Sequence, residues 1–443
     1  MTDTFNRGVR IYKGTRDYAG DAARWRLLVV STIESVFQQF GFEPLETPAI
    51  ENERTLKGKY GEEGEVKRFK LALPFPDEAG LRYDHTVPLA RYLAINASNL
   101  VKPYRRYVIG PVWRNEDPAA GRLRQFTQCD FDTAGTDSPV VDAEIVAMFS
   151  AVLNRLGFPS VWEIQINDRR LLNAMVQPIG CKPSQTIEIF RAWDKLKKAS
   201  LAEITGELLD KGLDGDQVVR FENLTKRLLD LPADQVLDGV EAIFGDIVKD
   251  PIAQLRELKS FILAMGVDSK SFRFVPTLAR GLDYYTGPIF EVVVNQKGIG
   301  SIAGGGRYDN LVAALGGPEL PASGASFGLE RLMSVMEDLG LKPESTQTTD
   351  VFVTLWDITN PELTKASFGI ANNLRLDGYR VEVYTGDARK KLAKQLDICR
   401  RKLIPKVIII GPDEMRQGVV TIKDMTTGGQ QIVNKSEVGF YLK

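Results

Sequence analysis

Histidine and cysteine are the scarcest chemistry-bearing residues in this chain of 443 residues, which holds one histidine, His85, and three cysteines, Cys129, Cys181 and Cys399. Three cysteines so widely scattered cannot form a disulfide framework, which fits a reducing, cytosolic setting. A zinc site made from these ligands would need all four of them, and no two are close in sequence, so no metal site is expected. A Ser–His–Asp hydrolase is excluded on similar grounds. Gly324-Ala-Ser326-Phe-Gly328 matches the nucleophile elbow, but that fold places its histidine after the serine, and His85 lies far before it. No sign of charge dominates either. With 57 basic and 58 acidic residues the formal net charge is −1, so any contact with a polyanion must rest on a local patch. Purely apolar runs, such as Leu27 to Val30 and Val407 to Ile410, stop at four or five residues, far short of a membrane span. Met1 to Arg10 has no apolar core of a signal peptide. Phosphate-binding loops are missing as well: the only Gly-Lys pair, Gly58-Lys59, is followed by tyrosine, and Gly298-x-Gly300-x-x-Ala303 lacks the βαβ setting of a dinucleotide fingerprint.

What is present is an ordinary globular composition, 43% hydrophobic and 26% charged, with room for about three domains at roughly 150 residues each. Trp25, Val29, Ile33, Val36 and Phe40 recur at helical spacing over Ala22 to Phe40. Phe42 to Ile50 reads as extended, with Pro48 at a strand edge. Two strand-like runs, Tyr107 to Arg114 and Arg122 to Asp132, flank the turn formers of Asn115 to Gly121 and predict a hairpin with a longer loop. From about 170 to 265 the chain turns to Leu, Lys, Asp and Glu at helical spacing, a helical insertion. Strand character returns at Arg273 to Thr277 and Ile289 to Asn295. A polar connector near Pro343 to Thr349 precedes strand Val351 to Leu355, a helix from about Pro361 to Asp377 and strand Tyr379 to Tyr384. A helix over about Asp387 to Lys402 and strands Lys406 to Ile410 and Gly418 to Lys423 complete a compact α/β domain. The expected division is 1–169, 170–265, 266–345 and 350–443.

Alternate residues of a strand share a face, so Arg122, Arg124, Phe126, Gln128, Asp130 and Asp132 are expected in one row. Arginine forks suit phosphate oxygens, an aromatic ring beside them can stack on a base, and a carboxylate with an amide can hold an ammonium group. Arg114 on the partner strand adds a phosphate ligand. A solvated face of alternating charges is the plain alternative. Arg280-Gly-Leu-Asp-Tyr284-Tyr285 and the glycines of Ala303-Gly-Gly-Gly-Arg-Tyr308-Asp309 form a second cluster, where a ligand can approach the backbone closely. In Gly324-Ala-Ser-Phe-Gly-Leu-Glu-Arg331 a small-residue strand turns into a helix. A cation at that helix start opposes the helix dipole unless an anion such as phosphate compensates; a surface arginine that snorkels is the alternative.

In this order the segments resemble histidyl-tRNA synthetases, of class II, over nearly the whole chain. Thr47-Pro48 is similar to the motif 1 proline of the dimer interface, Val112-Trp-Arg114 through Gln128 to motif 2, and Gly324 to Arg331 to motif 3. Leu278 to Tyr285 and Ala303 to Asp309 are similar to the two histidine signature peptides, and the last 95 or so residues to the anticodon-binding domain of class IIa enzymes. The resemblance implies an α+β catalytic domain on an antiparallel sheet, a helical insertion, and a C-terminal α/β anticodon-binding domain. It implies a homodimeric cytoplasmic enzyme that uses ATP, with Mg2+ carried on the phosphates, to activate L-histidine and charge tRNA(His), with no membrane association and no editing domain. Arg114 would then hold the α-phosphate, Arg122 and Arg331 the β- and γ-phosphates, and Phe126 the adenine. Asp84, Thr86 and Gln128 would hold the α-ammonium group; Asp132, Tyr284, Tyr285 and Tyr308 would shape the imidazole pocket. Arg280 would stabilise charge developing on the α-phosphate and carboxylate.

Two positions depart from the pattern. His85 stands where the family usually has leucine, beside or lining the pocket wall and without a catalytic role. Gln128-Cys-Asp-Phe-Asp132 ends in aspartate where many bacterial members carry glutamate. Between Arg389 and Lys406 eight basic residues face one acid, a net +7. Behind a synthetase-like core this run, including Arg389, Lys390, Arg400 and Arg401, implies a tRNA-contacting face, against the alternative of a solvated helix. The rival reading is a histidine-sensing paralogue without catalysis, similar to the regulatory subunit of ATP phosphoribosyltransferase, which generally lacks the C-terminal domain and has degraded signatures.

Overall fold

The computed structural model describes residues 9–72, 78–119, 121–196, 199–279, 284–294, 300–343, 349–386 and 391–442. The chain forms two compact units, one of Met1–Tyr18 with Arg26–Lys342 and one of Ala19–Trp25 with Pro343–Lys443. In the first unit the strands in chain order are β1 (Glu43–Pro44), β2 (Ile50–Asn52), β3 (Lys70–Leu71), β4 (Ala79–Leu81), β5 (Tyr104–Trp113), β6 (Gln125–Ala134), β7 (Trp162–Asp168), β8 (Phe272–Phe274), β9 (Pro288–Val294), β10 (Ala303–Arg307) and β11 (Ala322–Gly328). Eight of them make one sheet in the order β1-β5-β6-β11-β10-β9-β7-β8, antiparallel except for the pairs β1–β5 and β7–β8. The strands β2, β4 and β3 make a small separate sheet.

The two-residue period of β6 decides what each face of the large sheet does. Cys129 and Phe131 are buried, and Phe131 packs on Phe37 of the helix Gly20–Gln39 and on Phe149 of the helix Val140–Arg155, with ring centres 5.1 and 5.9 Å apart. Phe149 in turn meets Phe327 of β11 edge to face. That face is core. Phe126, Gln128, Asp130 and Asp132 point the other way, into a cavity.

The extended reading of Phe42 to Ile50 is corrected: only Glu43–Pro44 pairs, with β5, and Ile50 opens β2. The guanidinium of Arg82 intervenes, donating to Thr47 O at 2.7 Å and Pro111 O at 2.9 Å, so Pro48 lies between strands rather than at an edge. Between Asp168 and Phe272 the described residues contain helices and no strand, from Arg169–Val176 to Lys249–Ala264. Ser200 with Glu203 and Asp214 with Gln217 close capping boxes there, and buried Trp193 stacks on Phe221 while its indole N–H donates to Thr225 Oγ1 at 3.0 Å.

The second unit carries a five-stranded sheet of β12 (Val351–Val353), β13 (Val381–Val383), β14 (Lys406–Ile409), β15 (Val419–Asp424) and β16 (Gln430–Asn434), in the order β13-β12-β14-β15-β16. The first three strands are parallel and the last two antiparallel. The helix Pro361–Leu376 starts where Asn360 Oδ1 accepts from the backbone N–H groups of Glu362 and Leu363, with proline at its first turn. Strand β16 escapes the sequence reading because it is an edge: Ile432 is exposed, only Val433 is buried, and the alternation is polar.

Candidate active site

A cavity of about 310 Å³ opens on the face of the large sheet opposite the Phe131 core. Its floor is the even-numbered row of β6, flanked by the glycine-rich strands β10 and β11. Register brings Gly324 opposite Asp132 and Ser326 opposite Asp130. A Cβ at Gly324 would lie 1.9 Å from Asp132 Oδ1, and one at Gly306 would lie 2.6 Å from Pro288 O and 2.8 Å from the Tyr285 ring. These glycines leave space that side chains of the floor then occupy.

At one end Asp132 is almost wholly buried. Its Oδ2 pairs with Arg106 at 2.8 Å, and its Oδ1 accepts a hydrogen bond from the Tyr308 hydroxyl. Tyr284 lies between Tyr285 and Tyr308, ring centres 4.9 and 5.9 Å away. Asp84 Oδ1 accepts the backbone N–H of Val87 at 3.0 Å. Gln128 Nε2 donates to Ser326 Oγ at 3.1 Å. Asp84 Oδ2, Gln128 Oε1, Asp130 Oδ1 and Asp132 Oδ2 are buried with no hydrogen-bond partner, Asp132 Oδ2 having only its ion pair with Arg106. Burial raises the carboxyl pKa of Asp84, against the opposing Val87 N–H, and of Asp132, against the opposing Arg106. It pushes Asp130 up to about 7.

At the other end the guanidinium of Arg114 sits 4.3 Å from the Tyr83 ring centre and 5.2 Å from that of Phe126, while its Nε donates to Tyr83 O at 3.1 Å. Arg122 approaches Glu116 at 3.4 Å, and Arg331 Nη1 donates to Ser301 O at 3.1 Å. Gly121, in the left-handed region at φ +65°, brings the hairpin loop against the Arg331 side chain. Glu330 accepts from the Thr127 N–H and from Arg26.

The structure thus brings Asp84, Thr86, Arg114, Arg122, Phe126, Gln128, Asp132, Tyr284, Tyr285, Tyr308 and Arg331 to one cavity. Arg280, Arg389 and Lys390 lie outside the described residues. Arg124 departs from the expected row, because β6 begins only at Gln125. It turns away to lie 5.6 Å from the Tyr12 ring centre and donates to Glu116 O. His85 packs beneath the site instead of lining it. Its Nε2–H donates to Gly110 O at 3.0 Å, and burial with Arg82 nearby depresses the ring's pKa to about 3. The basic run is less unbalanced than its sequence, since Lys402 pairs with Glu382 at 2.5 Å and Lys406 with Asp424 at 2.8 Å. Arg400 and Arg401 are exposed, Arg400 at 3.5 Å from Asp397. Sequence reasoning misses Arg106 and Ser326 as site residues: Arg106 lies one residue before the predicted first strand of the hairpin, and its place opposite Asp132 comes from the register of β5 on β6.

A profile of histidyl-tRNA synthetases matches residues 14–332, and one of anticodon binding domains matches residues 350–443. The chain is 36% identical over 456 residues to the histidine–tRNA ligase of Gloeobacter violaceus, covering 96% of each chain. It is 36% identical over 464 residues to that of Phocaeicola vulgatus, covering 97% of each. Its fold matches the crystal structure of histidyl-tRNA synthetase from Nostoc sp. PCC 7120 with a TM-score of 0.82 at 27% identity, over 98% of each chain.

Proposed function

This chain belongs to the histidyl-tRNA synthetase family, and we propose that its cavity activates L-histidine with ATP and passes the acyl group to the 3′ end of tRNA(His) by the following division of labour. The observation that carries it is the set of buried acceptors without donors, at the opposite end of the β6 row from the arginines. Buried polar atoms left unpaired are costly, so the cavity is built for a ligand rich in N–H groups at one end. The other end, with Arg114, Arg122, Arg331 and the Phe126 ring, suits a nucleoside triphosphate. From Phe126 to Asp132 the row runs about 20 Å at the rise of a β-strand, room for both substrates in line.

Asp84 Oδ2, Gln128 Oε1 and Thr86 receive the α-ammonium group; Asp132, Tyr284, Tyr285 and Tyr308 wall the imidazole. Phe126 stacks on adenine, Arg114 holds the α-phosphate, and Arg122 and Arg331 hold the β- and γ-phosphates. A carboxylate oxygen of histidine attacks the α-phosphorus, its bond to the bridging oxygen breaks, and pyrophosphate leaves. Arg280, assigned from the signature peptide, stabilises the charge that develops. In the second step a ribose hydroxyl of the terminal adenosine attacks the acyl carbon and AMP departs. No protein nucleophile is required; positioning and fixed charge carry the rate. A site that pairs a ring through hydrogen bonds rejects apolar isosteres by roughly 10⁴, which removes the need for editing. Mg2+ enters with the ATP phosphates, and the carboxylate of Glu116 at that end is a hard oxygen donor suited to it.

The enzyme works in the cytoplasm as a homodimer through the segment around Pro48, where Pro48 and Ile50 are exposed. The basic run that includes Arg389, Lys390, Arg400 and Arg401 contacts tRNA. Replacing Arg400 and Arg401 together with alanine is expected to weaken tRNA binding and to reduce the slope of log affinity against log salt by roughly 1.5, as loss of two phosphate contacts requires. Filter binding across a salt series measures both, and an unchanged slope leaves these arginines merely solvated.

A further inference from the structure

Arg124 is the arginine of the hairpin that the division of labour above leaves without a role, yet it is held from several sides. Its backbone N–H donates to Gly14 O at 2.6 Å, its Nη1 to the Tyr12 hydroxyl at 3.2 Å and its Nε to Glu116 O at 3.1 Å. Tyr12 and Gly14 belong to a tight turn, closed by the Thr15 N–H on Tyr12 O at 3.0 Å. Gly14 takes a left-handed φ of +85° there, and a Cβ on it would lie 2.7 Å from Arg124 Cγ and 3.0 Å from the Pro118 ring. Further along the same segment the Tyr18 hydroxyl donates to Glu330, which directly precedes Arg331. Arg26 closes that corner, 4.5 Å from the Tyr18 ring centre and 2.9 Å from Glu330. Glu330 also accepts the Thr127 backbone N–H at 2.8 Å, next to Phe126. Residues 9–18 form neither helix nor strand, and Ile11 and Tyr12 are 58% and 57% exposed. A segment that buries so little apolar surface adds little to the core, so its specific contacts call for another purpose.

We propose that the segment Tyr12–Tyr18 is a strap that positions the phosphate arginines from two sides, through Arg124 on the hairpin and through Glu330 on the helix Leu329–Asp338. The proposal rests on the reading of this end of the cavity as the ATP site. The hairpin held at Arg124 also carries Arg114, Glu116 and Arg122, and Arg122 approaches Glu116 at 3.4 Å. The helix held at Glu330 carries Arg331, whose Cγ would lie 3.3 Å from a Cβ on Gly121. Loop and helix thus meet beside Arg122 and Arg331, and one short segment ties both. Among the described residues that line the cavity none comes from Tyr12–Tyr18, so the strap acts through the groups it holds and touches no substrate. A clamp on a triphosphate is sensitive to such support, because a shift of about 1 Å set off far from the reacting atoms can cost roughly 100-fold.

The test is calorimetric titration of the full-length wild type and of Gly14→Ala, with ATP and Mg2+ in one series and L-histidine alone in another, alongside thermal melts. Gly14→Ala strains the turn and drives a methyl group against Arg124. It is expected to weaken ATP by roughly 10-fold or more while leaving histidine affinity within about twofold. The melting temperature should fall only slightly, because an exposed segment detaches without opening the core. The double variant Gly14→Ala/Arg124→Ala is expected to bind ATP no worse than the weaker single variant, since both substitutions remove the same contact. Additive losses would mean that Gly14 and Arg124 act apart, which overturns the strap. Equal weakening of ATP and histidine would make the segment a general structural support and overturn it too. Unchanged ATP affinity in Gly14→Ala would overturn it while leaving the ATP-site reading intact. Failure of wild type to bind ATP would remove both. Should Gly14→Ala not fold, Tyr12→Phe/Tyr18→Phe, which deletes one hydroxyl at each end of the strap and keeps both rings, serves in the same comparison.

Discussion

Arg114→Ala is expected to slow adenylation by roughly 10³-fold, about 4 kcal/mol in barrier height, while leaving histidine binding and the melting temperature almost unchanged. The Arg114 side chain is held by one hydrogen bond to the Tyr83 carbonyl and by the faces of two rings, and the backbone N–H that bonds Arg124 O is untouched by the substitution. That support fixes the plane of the guanidinium before substrate arrives, so no reorganisation is needed as negative charge builds on the α-phosphate. Arg114→Lys should recover little, because an ammonium group cannot reproduce the fork or lie flat between Tyr83 and Phe126. Single-turnover formation of adenylate measures the effect. A loss smaller than tenfold would take Arg114 out of the catalytic set.

Gly324→Ala should be nearly as damaging and for a different reason. The added methyl group would stand 1.9 Å from Asp132 Oδ1 and 2.9 Å from the Phe131 carbonyl, and β11 cannot retreat without breaking its register with β6. Overpacking of this kind typically costs about 1–3 kcal/mol. The side chain that gives way is Asp132, which carries Arg106 and Tyr308 with it. The histidine KM is expected to rise by roughly 100-fold or more, with a lower melting temperature and little change in the KM for ATP. Steady-state exchange kinetics with each substrate varied in turn, alongside thermal melts, separate these effects. Equal changes in both KM values would place the disturbance outside the amino-acid end.

The hairpin and the row from Phe126 to Asp132 were legible because a period of two survives translation from sequence to strand. The position where that period starts was not. Arg124 has the right parity, but β6 begins one residue later, and Gly14 O takes the Arg124 backbone N–H at 2.6 Å, drawing the residue toward Tyr12. Arg106 sits in a strand of mostly apolar residues, and its role exists only through the pairing Arg106↔Asp132 across a long loop. The histidine signature glycines were read as room for a ligand to approach the backbone; at Gly306 that room is filled by the Tyr285 ring, from the other signature peptide. The basic run looked stronger than it is because Glu382 and Asp424, which neutralise part of it, belong to other strands. In each case local pattern sets the element, and long-range pairing decides which side chain meets which.

ATP–pyrophosphate exchange, run on the full chain with each of the twenty amino acids in turn, tests the central claim most directly. Exchange supported by histidine alone is the predicted result, since the acceptor set at the end of β6 is matched to an amino acid with a ring N–H. Histidine binding without exchange would contradict it, and would make this cavity a sensor of histidine rather than the place where histidine is activated.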